Sequence, residues 1–369
     1  MIIKNKIIYF SDKFIIKNKN SEFLLSFLIT LIFVLSATFL GYSNNKVVPV
    51  NLDTHARYVV EPNNPLKILS NWDGPDYLKI ATFGYRVPYQ TNLFPLYPLT
   101  TRIVHKIGPS ILDSALIVTW LALFGSVYYF LKVVKLNYNF KDNLKTIRAI
   151  LLFLFFPTGV FLIGTYSESL LAFFSFSAIY YAYKKEYVKS GLLLALASAT
   201  HLSGLFTIFI VLIILYRKKL PITKILTTIL IGITGLLGYM LFQLYKFNNP
   251  FEFIRSQQHL GWLHWSLTNY FNQLGWMNII MLTLVLISIF YWWNKRIELA
   301  LYSIIFLLLP FLSGQFGGYN RYVLMDFSLP LMFFDKFKDS KTIYPILISI
   351  SAILWSYFLF QYVGGYVGG

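Results

Sequence analysis

Apolar runs, most of them about 20 residues long, recur along this chain and alternate with short loops that carry Lys and Arg. A helix of that length crosses the hydrocarbon core of a bilayer. Hydrophobic residues make up 57% of the 369 residues and charged residues only 13%, whereas soluble domains are about 25% charged. The pattern predicts an all-α, multi-pass membrane protein with about 11 transmembrane helices, forming a single domain over residues 1–369.

The formal net charge of +17 would suit a nucleic-acid-binding protein, but its distribution argues against that class. Most Lys and Arg residues fall in short loops between apolar runs, as the positive-inside rule expects. The absence of cysteine excludes disulfides and thiol catalysis. The apolar run at 23–40 lacks a small-residue cleavage site, so we interpret it as a membrane anchor rather than a signal peptide.

The loop charges also predict how the chain crosses the membrane. They place the N-terminus in the cytoplasm and a long mixed stretch, about 43–110, on the outer side. The run at 190–216 is too long for one simple span, so we expect two half-helices that meet at residues 200–203. The Lys-, Asn- and Ile-rich composition suggests a prokaryotic plasma membrane, with the active site on its extracytoplasmic side.

The stretch NWDGPDYLKIATFGY, residues 71–85, is unusually polar for this chain. It predicts a short amphipathic helix along the membrane surface, capped by Asp73 or Asn71 and ended by Gly84. Capping needs one polar side chain, and Asp76 three residues later adds a like-charge repulsion that capping does not require. Asp73 is therefore either a helix cap or a catalytic acid.

Glu168 lies between two apolar runs in GTYSESLLAFF. An ionisable residue at bilayer depth costs about 2.5 kcal/mol or more, which makes it a functional candidate by default. The alternative is that Glu168 opens a helix, where the positive end of the helix dipole favours a carboxylate. As a site residue it would be a second carboxylate facing the long outer stretch.

Arg321 stands in GGYNRYVLMDF, residues 317–327, at the expected outer end of a span. A guanidinium can hold a phosphate through two parallel hydrogen bonds, although an arginine at this depth can also snorkel to the lipid headgroups. Tyr319 and Asn320 add hydroxyl and amide groups suited to a sugar or a phosphate.

His201, in the predicted break, is either a structural residue or a further phosphate contact. A divalent metal is possible, because Asp53, His55 and Glu61 could join Asp73 around a cation, but their spacing has no specificity. The sequence contains no Gly-rich phosphate loop, GxSxG elbow or HExxH motif. It therefore offers no obvious cofactor and no domain for a nucleotide-sugar donor.

Five strings carry a resemblance to a known family. NWDGPDYLKIATFGY with NLFPLYPLTTRI is similar to the first outer loop of the PIG-V-like (GPI mannosyltransferase II-like) family of GT-C membrane glycosyltransferases. FFPTGVFLIGTYSESL, GLLLALASATHLSGL, NNPFEFIRSQQHLGW and GGYNRYVLMDFSLPLMF resemble further segments in order, over roughly residues 70–335. Asp76 departs from the aromatic residue or His common in the family, and His201 departs from its Arg.

The resemblance implies transfer of a sugar, mannose or a similar hexose, from a polyprenyl- or dolichyl-phosphate-linked donor to a glycan, glycolipid or protein acceptor. It also implies Asp73 as catalytic base. Arg321, assisted by His201, would hold the departing phosphate while Glu168 orients a sugar, and inversion is the expected outcome. The candidate substrate-binding residues are Trp72, Asp76, Tyr77, Tyr166, His201, Tyr319, Asn320 and Arg321.

Two other classes remain open from the residues alone. A transporter or flippase of lipid-linked glycans would place its acidic residues deep within the spans along a path. Here eight of the 15 acidic residues fall in or near segments assigned to the outer side, which favours transfer at a surface. A scaffold protein would need no set such as Asp73, Glu168 and Arg321.

Overall fold

The computed structural model describes residues 19–45, 64–140, 142–259, 275–314, 316 and 318–364, and every regular element in these ranges is helical. The α-helices are α1 (Lys19–Asn45), α2 (Asp73–Phe83), α3 (Leu96–His105), α4 (Ile111–Tyr138), α5 (Asn143–Leu154), α6 (Glu168–Tyr183), α7 (Tyr187–Thr200), α8 (Phe206–Arg217), α9 (Ile222–Gly232), α10 (Thr234–Phe247), α11 (Glu252–His259), α12 (Trp276–Trp293), α13 (Ile297–Ser313), α14 (Tyr319–Val323), α15 (Ser328–Phe337) and α16 (Ile343–Val363). Short 3-10 turns occupy Pro65–Leu69, Pro88–Asn92, Gly159–Leu162 and Leu202–Leu205. The predicted all-α class is confirmed, and the single domain stays a prediction.

Five helical segments are long and apolar enough to cross a membrane. They are Glu22–Ser43, Ile111–Tyr138, Ile222–Phe247, Trp276–Trp293 and Ile343–Val363, and three shorter apolar helices accompany them. Only 22% of the most apolar window of Ile222–Phe247 is buried inside the protein, so most of its side chains face outward. An outward apolar surface of this kind needs lipid around it, and the chain is therefore a multi-pass membrane protein.

The predicted break at residues 200–203 is present. Helix α7 ends at Thr200, His201 has an extended backbone, and a short turn leads into α8. The turn folds closely onto α7, because a Cβ added to Gly204 would lie 2.2 Å from the carbonyl oxygen of Ala197. Only glycine permits that approach.

The apolar runs at about 149–165 and 322–335 each form an interrupted helix rather than a continuous span. Helix α5 ends at Leu154, shortly before Pro157, which has no N–H to donate and disfavours a helix before it. Between α14 and α15 the side chain of Asp326 accepts hydrogen bonds from the Ser328 backbone (3.2 Å) and hydroxyl (2.6 Å). This local bonding competes with helix continuation.

Most of the apolar side of helix α2 packs against other helices of the protein, and not against lipid as predicted. Leu78, Ile80 and Ala81 are buried, and α2 packs against α3 and α4. Helix α4 in turn packs against α6. This arrangement brings the start of α2 beside the start of α6, which places two of the candidate carboxylates in one region.

Candidate active site

The start of α2 is held in a strained conformation. Trp72 precedes the helix with φ 55°, a region that bulky residues rarely adopt and that costs about 1–3 kcal/mol. No side chain caps this helix, so the predicted capping by Asp73 or Asn71 is wrong. The Asn71 amide instead donates to the carbonyls of Tyr362 (2.9 Å) and Ile68 (3.2 Å).

The loop before α2 is bonded directly to the loop before α6. The Thr165 backbone N–H donates to the Leu69 carbonyl, and the Thr165 hydroxyl donates to the Ser70 hydroxyl, both at 2.9 Å. The Tyr166 hydroxyl donates to the Asn71 carbonyl at 3.0 Å. Gly74 completes the contact, because a Cβ there would lie 2.3 Å from Thr165 Oγ1. The two loops therefore form one rigid support.

Arg321 binds both candidate carboxylates across this support. Its Nη1 donates to Asp73 Oδ2 at 2.5 Å, and its Nε lies 2.8 Å from Glu168 Oε1. The Arg321 and Glu168 side chains are 7% and 4% exposed, whereas Asp73 keeps 26% of its side chain accessible. Asp73 is thus the carboxylate that an incoming molecule can reach. We call these three residues the Arg321 cluster.

Aromatic side chains surround the guanidinium of Arg321. Its central carbon lies 5.4 Å from the ring centre of Tyr166 and 5.6 Å from that of Tyr322, within cation–π range. The Tyr77 hydroxyl bonds the Ser167 hydroxyl at 2.9 Å. The hydroxyls of Tyr77 and Tyr166 are therefore engaged inside the protein, so these two candidates shape the wall and position the loops.

Five buried polar atoms, on cluster residues or within two residues of them in sequence, have no hydrogen-bond partner among the described residues. They are Trp72 Nε1, Glu168 Oε2, Tyr319 Oη, Asn320 Oδ1 and Arg321 Nε, which lies within ion-pair distance of Glu168 but forms no hydrogen bond with it. Buried polar groups are nearly always satisfied in folded proteins. An indole and a guanidinium donor, one hydroxyl and two acceptor oxygens match the hydrogen-bonding groups of a sugar or a phosphate.

His201 lies next to Tyr322, which borders the cluster, and the two ring centres are 5.9 Å apart. Its Nδ1 accepts from the Ser203 backbone N–H at 3.1 Å and so closes the turn between α7 and α8. Burial, with the nearby charge of Arg321, lowers the pKa of His201 to about 3. The imidazole is neutral near pH 7, and it adds no positive charge for a phosphate.

Asp76 turns away from the cluster and pairs with Lys79 at 2.9 Å, one turn further along α2. Among the described residues, no three His, Asp or Glu side chains gather as metal ligands. Asp53, His55 and Glu61 lie outside those residues, so the cation site suggested for them stays a prediction.

Tyr362 is a site-supporting residue that sequence reasoning missed. Its hydroxyl donates to the Leu69 carbonyl at 3.0 Å and accepts from the Asn71 backbone N–H at 3.2 Å. It lies in α16, 291 residues after Asn71, and no local pattern marks it. Thr158 donates to the Asn320 carbonyl at 2.9 Å, and no local sequence pattern predicts this contact either.

Residues 11–293 match the model of a protein family described as Mannosyltransferase (PIG-V). That match covers more than half of the chain. The chain belongs to the PIG-V mannosyltransferase family. The resemblance predicted from the five strings is thereby confirmed.

Several relatives in this PIG-V family align with parts of the chain. GPI alpha-1,6-mannosyltransferase 2 of Rattus norvegicus is 31% identical over 148 residues, covering 38% of this chain and 30% of the relative. The Cricetulus griseus protein of that name is 28% identical over 199 residues, covering 48% and 40%. GPI mannosyltransferase 2 of Drosophila melanogaster is 27% identical over 223 residues, covering 54% and 49%. The chain spans less than half the length of these relatives.

Among solved structures, the Archaeoglobus fulgidus oligosaccharyltransferase resembles the chain with a TM-score of 0.45 and 14% sequence identity. The alignment covers 91% of this chain and 53% of the oligosaccharyltransferase chain.

Proposed function

We propose that this protein is a GT-C membrane glycosyltransferase that moves a mannose or a similar hexose from a polyprenyl-phosphate donor to a glycolipid acceptor. The observation that carries the proposal is the Arg321 cluster. It joins one accessible carboxylate, one buried carboxylate and one guanidinium at a rigid loop junction, in a chain of the PIG-V family. The extracytoplasmic side and a prokaryotic membrane are part of the same proposal.

Asp73 is the general base in this proposal. Its Oδ2 is bound by Arg321, and its Oδ1 has no hydrogen bond among the described residues, so Oδ1 can accept the proton of an acceptor hydroxyl. The hydroxyl oxygen then attacks the anomeric carbon as the bond from that carbon to the phosphate oxygen breaks. The phosphate leaves with the electron pair, and attack from the opposite face gives inversion.

Arg321 has the donors to stabilise that leaving phosphate. A guanidinium carries five N–H groups, and the two carboxylates engage only its Nη1 and Nε. The remaining N–H groups can meet the negative charge that develops on the phosphate oxygens. Glu168 holds Arg321 in place, and its free Oε2 suits a sugar hydroxyl. The relatives are named GPI alpha-1,6-mannosyltransferase 2, and because GPI is a glycolipid, that name supports a glycolipid as acceptor.

The test compares purified wild type with Asp73→Asn in transfer of labelled mannose from synthetic polyprenyl-phosphate mannose to a glycolipid extract. Loss of a general base should lower the rate about 10²- to 10⁴-fold. Asp76→Asn is the matched control, because Asp76 lies on the same helix and forms an ion pair with Lys79, whereas Arg321 pairs with Asp73 and Glu168, and it should keep its rate.

Full activity of folded Asp73→Asn would exclude Asp73 as base. Movement of labelled lipid between leaflets by a wild type that transfers no sugar would instead establish the flippase alternative.

A further inference from the structure

A groove of about 610 Å³ lies between the end of α2, helix α3 and one face of α10. Its wall is mostly apolar and includes Phe83, Leu99 and Phe242, and two cations, Arg102 and Lys246, also line it. None of the three residues of the Arg321 cluster lines this groove. It is therefore a second feature, separate from the proposed site of sugar transfer.

The groove has the shape of a channel for a lipid chain. Its α10 face runs from Gly235 to Lys246, which is about 16 Å at the helical rise of 1.5 Å per residue. Gly238 leaves part of that face open, because a Cβ added there meets no atom within 4 Å. Since α10 belongs to the largely unburied span Ile222–Phe247, the groove is accessible from the hydrocarbon of the bilayer.

The two cations favour an occupant with an anionic head. Arg102 donates from Nε to the Ala81 carbonyl (2.5 Å) and from Nη2 to the Ile80 carbonyl (3.0 Å), which leaves Nη1 for a ligand. Lys246 is exposed, and it pairs with no acidic residue in the part of the chain that the structure describes. A phosphate held against an apolar channel satisfies both charges.

Helix α2 sets the distance between this groove and the Arg321 cluster. Asp73 opens the helix, and Ala81, which accepts from Arg102, follows eight residues later, about 12 Å along the axis. A polyprenyl-phosphate donor carries its phosphate directly on the sugar that is transferred, so that phosphate must lie beside Asp73. A second anion-binding point about 12 Å away suits a phosphate that is separated from the reacting hydroxyl by a few sugar rings.

We propose that the groove binds the lipid anchor of the acceptor, an anionic phosphoglycolipid. Its chain lies along the Gly238 face, its phosphate meets Arg102 and Lys246, and its glycan extends beside α2 to Asp73. This assignment rests on the proposed function and adds to it the path by which the acceptor lipid binds.

The test measures lipid retention by the full chain in phosphatidylcholine nanodiscs, using native mass spectrometry. Phosphatidylinositol is the probe because its phosphate carries a ring of hydroxyls, and dolichyl phosphate is added separately as a donor-like probe. Gly238→Phe should fill the groove and lower phosphatidylinositol retention about tenfold or more. Lys246→Gln should lower it about two- to fivefold.

Leu241→Phe is the matched control. Leu241 lies on the same helix, is 66% exposed and does not line the groove, so its enlargement should leave retention of both probes unchanged. Melting temperatures of all variants establish that they are folded. Gly238→Phe should also keep its dolichyl phosphate retention.

Two outcomes would overturn the assignment of this groove to the acceptor lipid. Equal retention of phosphatidylinositol and phosphatidylcholine by wild type would make it a site for any bilayer lipid. Loss of dolichyl phosphate but not phosphatidylinositol in Gly238→Phe would assign the groove to the donor. Failure of the proposed function has a different signature, since wild type would then transfer no mannose while its lipid selectivity and the Gly238→Phe effect stay intact.

Discussion

Two ion clusters in this protein, each built around a buried glutamate, combine carboxylates and guanidiniums in opposite proportions. The Arg321 cluster places one guanidinium between two carboxylates. The Glu298 cluster places one carboxylate between two guanidiniums, those of Arg217 and Arg296. We use this name for Glu298, Arg217 and Arg296 below.

The surroundings of the two clusters differ more than their composition. Both clusters place their glutamate in the first turn of a helix, where the helix dipole favours a negative charge, so the difference lies in the exposure of their arginines. The Arg217 side chain is 52% exposed, so water stabilises its charge. The Arg321 guanidinium is almost entirely buried, beside the strained Trp72 and buried polar atoms that have no partner among the described residues. The Glu298 cluster has the features of a structural helix-end contact, whereas the Arg321 cluster has those of a binding site.

Replacing Arg321 should have the largest effect. Arg321→Gln leaves Asp73 and Glu168 facing each other without a cation, which should lower the free energy of unfolding by about 3–5 kcal/mol and abolish mannose transfer. Melting temperature and transfer of labelled mannose measure the two effects. Arg321→Lys is the control, because it keeps the charge but not the planar fork, and it should recover stability more than transfer. Wild-type stability and activity in Arg321→Gln would remove the distinction between the clusters.

Glu168→Gln and Glu298→Gln form a matched pair, since both replace a buried glutamate in the first turn of a helix. Each should lower stability by about 1–3 kcal/mol. Only Glu168→Gln should slow transfer, by up to about 100-fold, because Arg321 loses a contact that positions it. Denaturation and transfer assays on both variants test this difference. Slow transfer in Glu298→Gln at wild-type stability would show that its cluster is also functional.

A smaller effect is the pH dependence of stability that His201, a neighbour of the Arg321 cluster, should cause. Burial lowers the pKa of His201 to about 3, whereas an unfolded histidine titrates near pH 6.5. Between these values the unfolded chain binds a proton that the folded chain does not. Lowering the pH from 7 to 5 should therefore cost about 1–2 kcal/mol of stability through this residue.

His201→Asn tests that pH effect, because its side-chain oxygen can replace Nδ1 as the acceptor for the Ser203 N–H. Melting temperatures at pH 7 and pH 5 should differ less in the variant than in wild type. An identical pH dependence would show that His201 does not titrate differently on unfolding.

Local chemistry made much of the fold predictable. The apolar runs identified the membrane helices, and the polar interruption at SATHLSG located the break between α7 and α8. Asp73, Glu168 and Arg321 were each recognised separately, because placing a charged side chain beside an apolar run costs free energy and therefore indicates a functional role. These signals lie within about one helix length of sequence, the scale on which hydrophobicity acts.

Other features had weaker local signals. The capping role predicted for Asp73 failed because a carboxylate that can cap a helix can equally pair with a distant arginine. The interruption at 324–327 was missed because the bonds of Asp326 to Ser328 depend on a side-chain orientation that the sequence does not encode.

The sequence by itself determined the class of molecule, a helical membrane protein. It also identified the candidate site residues Asp73, Asp76, Glu168 and Arg321. Only the tertiary structure decided which basic residue each of these aspartates pairs with. It paired Asp76 with its neighbour Lys79 and joined Asp73 to Arg321 across 248 residues of chain. The physical reason is that an ion pair needs only proximity, and proximity between distant segments is set by helix packing and by loop contacts such as those of Tyr362.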